Sequence, residues 1–183
     1  YQIAQMKARL AARDGIWRYT GPVSQVAEGA GPPIQSMPFR ASFGIDLPSG
    51  GETGPIFALG GKLGGMGLYL KAGVPTFTLR GFDGSARTVA GDAPLPQGAS
   101  TLELTLDRPV ARPLTPQDIA ITIKANGRTL ASGTVRYAMA ARYGVSQTFD
   151  IGNDFGDSVS DDYLPGVPFA GTITSAEFRM TPP

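Results

Sequence analysis

The sequence predicts an all-β protein, a jelly-roll β-sandwich of about ten strands with a short N-terminal helix, and three observations predict it. The chain holds 25 Gly and 16 Pro among 183 residues, about 22% together against about 12% in average usage. Gly supplies positive φ and Pro presets turn geometry, so this composition suits many short strands joined by turns rather than a helical bundle. From Met37 onward the apolar period is two, as half-buried strands require. Turn signals punctuate the apolar runs, and Asn126-Gly127 is the strongest of them. Leu, Ile, Val and Phe make up about 23% of the chain, above the roughly 20% below which disorder is expected, so a core can form.

The elements follow in order. Tyr1 to Asp14 reads as a helix, with Ile3, Met6 and Leu10 at helical spacing and Gly15 as its stop. Gly21 to Ser36 is rich in Gly and Pro and reads as a connector. The domain boundary is therefore set at residues 33 and 34, with helix and connector in 1–33 and the sandwich in 34–183. Phe39, Ala41, Phe43, Ile45 and Leu47 alternate as a strand, ended by Ser49-Gly50-Gly51. Pro55 to Leu59, Met66 to Lys71, Thr76 to Arg80 and Ser85 to Ala90 follow, separated by Gly-containing turns. Leu102, Leu104 and Leu106 alternate cleanly, as do Ile119, Ile121 and Ile123; Thr129 to Arg136 is the return strand of the hairpin. Thr148 to Ile151 and Thr172 to Met180 close the series. The stretch from Asp107 to Asp118 is read as a long crossing between sheets.

Composition excludes several chemistries. With no Cys and no His, a disulfide framework, a thiolate or imidazole metal site and a Ser-His-Asp triad are ruled out on this chain. The absence of Cys fits oxidising and reducing compartments alike. The net charge is +1 and the basic residues are scattered, which argues against nucleic acid as a partner. No apolar stretch approaches the roughly 20 residues of a membrane span. The only glutamates are Glu28, Glu52, Glu103 and Glu177, too dispersed for the paired carboxylates of a glycosidase.

Two segments and a set of rings remain as candidates. Asp150, Asn153, Asp154, Asp157 and Asp161, with Asp162, place carboxylate and amide oxygens within one Gly-containing loop. Hard cations bind such oxygens, so calcium is the candidate ion; a solvated turn whose Asp and Asn side chains cap amides is the competing reading. Gly60 to Gly67 lacks the Gly-Lys-Ser/Thr end of a phosphate loop and runs into a strand, so it reads as a bulge or a close approach of backbone. Trp17, Tyr69 and Tyr143, together with Tyr137, are candidates for stacking on sugar faces, with core packing as the alternative.

Two segments carry a resemblance. GGKLGGMGLYLKAGVPTF, Gly60 to Phe77, and FDIGNDFGDSVSDDYLPGVPFAGTI, Phe149 to Ile173, are similar to signatures in the C-terminal domain of long bacterial arylsulfatases, in the same order and at a fitting separation. The resemblance spans roughly Ile34 to Met180. Asp157 and Ser158 stand where the family commonly has Ser-Pro, and Arg80-Gly81 where many members have Tyr-Asn. It implies a concanavalin-like jelly-roll sandwich appended to an upstream catalytic domain that hydrolyses sulfate esters with a formylglycine nucleophile and a divalent cation, in bacterial periplasm or cytoplasm. Ser36-Met37-Pro38-Phe39-Arg40 fits the short pattern of the formylglycine site, but it opens an alternating strand and continues Ala41-Ser42-Phe43, so it is read as strand.

Three functions compete. A non-catalytic accessory domain of an arylsulfatase is the first. It predicts an apolar patch at Ile3, Met6, Leu10 and Trp17 where the catalytic domain docks. An independent carbohydrate-binding module, calcium-dependent or not, is the second. A self-contained hydrolase is the third, and it lacks the residues.

Overall fold

The alternation seen in the sequence becomes alternation of burial. Strand β3 (Phe39–Leu47) turns Phe39, Ala41, Phe43, Ile45 and Leu47 inward, and the residues between them face outward. The computed structural model describes every residue except 1, 110–112, 141, 142, 144–146, 182 and 183, and leaves out the side chains of residues 2 and 3. Around β3 lie α1 (Gln2–Ala11), β1 (Ile16–Tyr19), β2 (Val23–Ala27), β4 (Gly54–Gly61), β5 (Gly64–Lys71), β6 (Val74–Arg80) and β7 (Ala86–Ala90). The second half of the chain adds β8 (Gly98–Asp107), β9 (Pro116–Ala125), β10 (Arg128–Ala138), β11 (Thr148–Ile151) and β12 (Thr172–Met180). No described helix is long and apolar enough to cross a membrane.

The strands form two antiparallel sheets. The first has the order β1-β12-β3-β8-β9-β10, and the second β2-β11-β4-β5-β6-β7. Between them lies an aromatic core. Phe43 stacks on Phe57 with ring centroids 5.7 Å apart, and Phe178 meets both edge-on at 5.5 and 5.3 Å. Phe149 joins the same cluster from β11, 5.3 Å from Phe178. Edge-to-face and offset contacts of this kind each add about 0.5–1.5 kcal/mol beyond area burial. The all-β jelly-roll sandwich expected from the sequence is thus the architecture.

Three expectations are corrected. Gly21 to Ser36 is not all connector: β2 lies within it and pairs with β11, and β1 just ahead of it pairs with β12, so each sheet takes an edge strand from the residues placed before the boundary at 33 and 34. These strands are short and lack a clean period, which is why alternation did not reveal them. The stretch after Asp107 does not cross between sheets, because β8 and β9 are neighbours in one sheet, with Leu104 opposite Ile123. The helix does not present an open docking patch. Trp17 is 1% exposed, Met6 and Leu10 pack against the core cluster, and the guanidinium groups of Arg9 and Arg13 sit 6.0 and 5.7 Å from the Trp17 ring. The sandwich itself buries Trp17 and half-buries Met6 and Leu10; the Ile3 side chain lies outside the described residues.

Candidate functional site

The site is best approached from the second sheet, because β4 and β5 are buried on both faces. One face meets the core through Phe57, Leu59, Met66 and Leu68. The other carries small residues in register, Ala58 opposite Gly67 and Gly60 opposite Gly65. The acidic loop lies over this shallow strip. A Cβ at Gly67 would stand 3.7 Å from both the Tyr163 hydroxyl and the Val159 side chain. Gly60 has φ +95°, and a Cβ there would come within 2.3 Å of the Gly64 carbonyl oxygen. The Gly-rich segment is therefore a seat for a loop, the close-approach reading of the sequence.

The loop's side chains hold that seat. Asp150 Oδ1 accepts from the Gln25 amide at 2.5 Å and its Oδ2 from Thr148 Oγ1 at 2.7 Å. Asn153 Oδ1 accepts from the Asp154 amide at 2.7 Å. Asp154 Oδ2 accepts from the Val159 amide at 2.8 Å and from the Tyr163 hydroxyl at 2.6 Å, while its buried Oδ1 has no partner among the described residues. Burial drives the Asp154 carboxyl upward against these two hydrogen bonds, the charges of Asp150 and Asp157 add to the rise, and the result is a pKa of about 6. Asp161 receives the Arg80 guanidinium at 2.9 Å and Lys62 at 3.6 Å, and Asp162 receives Lys71 at 2.7 Å and the Tyr69 hydroxyl at 2.7 Å. Asp157 is exposed, and its carbonyl abuts Gly61. The candidate metal residues Asp150, Asn153, Asp154, Asp157 and Asp161 are thus spread along a loop that caps itself. Among the described residues no three carboxylates form a group that could hold a metal ion.

The ring candidates are corrected outright as surface platforms. Trp17 and Tyr69 are each 1% exposed, Tyr143 is 7% exposed, and Tyr137 is buried as well. Each is drawn in by neighbours: Tyr69 lies 5.2 Å from the Tyr163 ring, and the Tyr137 hydroxyl donates to the Arg80 carbonyl. A buried ring cannot meet a sugar face.

The ring that is presented is Phe82, half exposed at the tip of the β6–β7 turn. Its inner edge rests on Tyr143, with centroids 6.4 Å apart, and over Gly64, where a Cβ would stand 2.9 Å from the ring. Leu63, 69% exposed, sits beside Gly64 in the neighbouring β4–β5 turn. The Phe82 turn is pinned from below. Asp83 Oδ1 accepts from the Ser85 amide at 3.0 Å, and Gly84 N donates to Gly81 O at 2.9 Å. Arg80, only 12% exposed at its side chain, donates to Gly84 O at 3.2 Å and to Val159 O at 2.9 Å. One guanidinium therefore fixes both the turn and the acidic loop. The end of the second sheet presents an apolar ring on a rigid turn, with the exposed Lys62 ammonium and Asp161 carboxylate held together nearby. That combination can pack on the C–H face of a pyranose and hydrogen-bond its hydroxyls. Reasoning from the sequence missed Phe82. The available signal was an aromatic residue inside a tight turn, Gly81-Phe82-Asp83-Gly84, where a core role is geometrically awkward.

Away from Phe82, an open groove of about 200 Å³ lies between β2 and the start of β12, walled by Pro22, Pro168, Phe169 and Ile173 with Ser24 and Asn153 as its polar side chains.

No protein-family model matches the chain, and no curated protein matches it. Solved structures share its fold. The carbohydrate-binding module CBM40 of the Ruminococcus gnavus IT-sialidase is similar over 89% of this chain and 91% of that one, with a TM-score of 0.62 at 15% identity. The same module bound to α2,3-sialyllactose gives 0.61 at 14% identity, covering 89% of this chain and 90% of that one. The LG4-5 domains of the mouse laminin α1 chain give 0.52 at 13% identity, over 91% of this chain and 42% of that one. At such identities the likeness establishes the sandwich fold.

Proposed function

We propose that the chain is a non-catalytic carbohydrate-binding module that contacts sugar at the Phe82 end of its second sheet. The observation that carries this reading is the half-exposed Phe82 ring, held on a turn that Arg80 and Ser85 fix. The likeness to a sialidase module whose solved structure holds sialyllactose supports it, though a shared sandwich alone does not assign function. With no His and no Cys, neither an imidazole nor a thiolate can serve as base or nucleophile on this chain. The test is calorimetry or a glycan panel with neutral and sialylated oligosaccharides. Saturable binding that Phe82→Ala weakens at least tenfold, with the melting temperature unchanged, is expected. Binding that survives the substitution, or no binding across the panel, contradicts the proposal.

A second reading is favoured by a separate observation. The two segments that carry the arylsulfatase resemblance are docked on each other: Gly67 lies beneath Val159 and Tyr163, Tyr69 donates to Asp162, and Lys71 pairs with Asp162. They form one structural unit, which is what a shared fold signature should be. On this reading the module is the accessory domain of a sulfuric ester hydrolase. Its catalytic domain would supply the formylglycine and the divalent cation. An antibody against the module, applied to the native source, tests it. A polypeptide several times larger than 19.1 kDa that cleaves an aryl sulfate supports the reading, and a product of the module's own size overturns it.

A further inference from the structure

The outer face of the first sheet is open, and its strand register arranges charge in two contrasting rows. In one row Arg18 stands opposite Glu177, Glu177 opposite Ser42, Ser42 opposite Glu103, and Glu103 opposite Lys124. Each charge there faces its opposite or a hydroxyl, as cross-strand pairs should. The adjacent row reads Arg179, Arg40, Thr105, Thr122, Ser132. There Arg179 faces Arg40 directly, an arrangement that costs stability.

Nothing within the fold relieves it fully. Glu177 is shared, 2.8 Å from Arg18 and 3.0 Å from Arg179. Arg40 is exposed and makes no hydrogen bond or ion pair among the described residues. Asp107, on the same face, stands opposite Ala120 and pairs with neither arginine. A sequence keeps a local conflict of this kind where function needs it. Beside the two guanidinium groups, three hydroxyls continue the row across the sheet.

We propose that this row binds an anionic polysaccharide, its carboxylate or sulfate groups on Arg40 and Arg179 and its hydroxyls on Thr105, Thr122 and Ser132. Planar guanidinium forks match such oxyanions bidentately. The proposal rests on the carbohydrate-binding reading but uses a different surface from Phe82, so the two can fail separately.

The probes are dextran sulfate, polygalacturonate and unmodified dextran, tested at physiological salt. The parent chain is expected to bind at least one of the two anionic polymers and not dextran. Arg40→Gln and Arg179→Gln should each weaken that binding at least tenfold. Arg136→Gln, which removes a charge of the same face paired with Asp118, should change it less than twofold. Arg40→Gln should also melt no lower than the parent, since it removes a repulsion; this separates lost binding from lost folding. Phe82→Ala should leave anionic binding intact. If it abolishes sialyllactose binding but not dextran sulfate binding, both surfaces stand. If sialyllactose fails to bind and dextran sulfate binds through Arg40, the Phe82 reading falls and this one stands. Failure to bind either anionic polymer overturns the proposal. So does equal loss in Arg136→Gln, or equally tight binding to duplex DNA or anionic vesicles, because any of these would reduce the row to unspecific charge.

Discussion

The outer face of the second sheet carries a strip of small residues, Ala58, Gly60, Gly65 and Gly67, with Gly67 beneath Val159 and Tyr163 of a loop, whereas the outer face of the first carries exposed Arg40 and Ser132 with half-buried Thr105 and Thr122. Both faces belong to antiparallel sheets with an apolar inner side. Side-chain size makes the difference. Residues without bulk leave a strip that only a close-fitting segment can cover, and residues 154–163 cover it with Val159 and Tyr163. Polar residues of full size satisfy themselves in water and need no cover. One face is thereby committed to stability and the other is left free for contact, with Phe82 at the border where the covered face ends.

The largest effect is expected in the tight β4–β5 hairpin that forms the covered strip. Gly60→Ala forces a Cβ against the Gly64 carbonyl at a φ of +95°. It should destabilise by about 3 kcal/mol or more, read as a shift of the urea midpoint. Ser132→Ala, on the open face, should stay within about 0.5 kcal/mol of the parent in the same assay.

Next in size is the effect of pH on the loop. Asp154 is raised in the folded state to about 6 from an ordinary 3.8, so the folded chain holds a proton that the unfolded chain has released. Stability from this group is fully present below about pH 4 and is lost as pH rises through about 6, a change of about 3 kcal/mol. Asp154→Asn should flatten that segment of the stability profile and melt higher than the parent at pH 7. An unchanged profile would show that the carboxylate is not held in a dry site.

Arg80→Gln should cost about 1–3 kcal/mol, because it withdraws donors from Val159 O and Gly84 O. It should also loosen the Phe82 turn and so weaken sialyllactose binding there. The smallest effect belongs to metal. The carboxylates of Asp150, Asp161 and Asp162 are engaged by amides, hydroxyls or cations. Removing calcium with a chelator should therefore shift the melting temperature by less than about 2 °C, on the order of 0.5 kcal/mol for a domain of this size. A larger shift would place an ion on the loop.

Much of the fold was legible because β3, β8 and β9 alternate on their own evidence: Leu102, Leu104 and Leu106 point one way whatever surrounds them. Strands β4 to β7 were legible as short runs between Gly-containing turns. Strands β1 and β2 were not legible, since they lack a clean period and lie beside Gly- and Pro-rich sequence, and they gain their identity from the partner they join. The candidate site was legible only in part. The acidic loop was visible as composition, but its role as a cover depends on the glycines of a distant hairpin. Among the aromatic residues the sequence could not separate Tyr69, drawn inward by Tyr163 and Asp162, from Phe82, held outward by a turn. Exposure of a ring is a property of packing, and no spacing rule encodes it.

The most direct measurement is an amide NMR titration of the parent chain with α2,3-sialyllactose, with lactose as the neutral comparison. The account predicts shifts concentrated at Leu63, Gly64, Phe82 and Asp83, with the amides of Val159 and Tyr163 unmoved beneath their hydrogen bonds. Shifts centred on residues 154–163, with Phe82 silent, would mean that the loop opens to admit ligand onto the covered face, and the division between the two faces would be wrong.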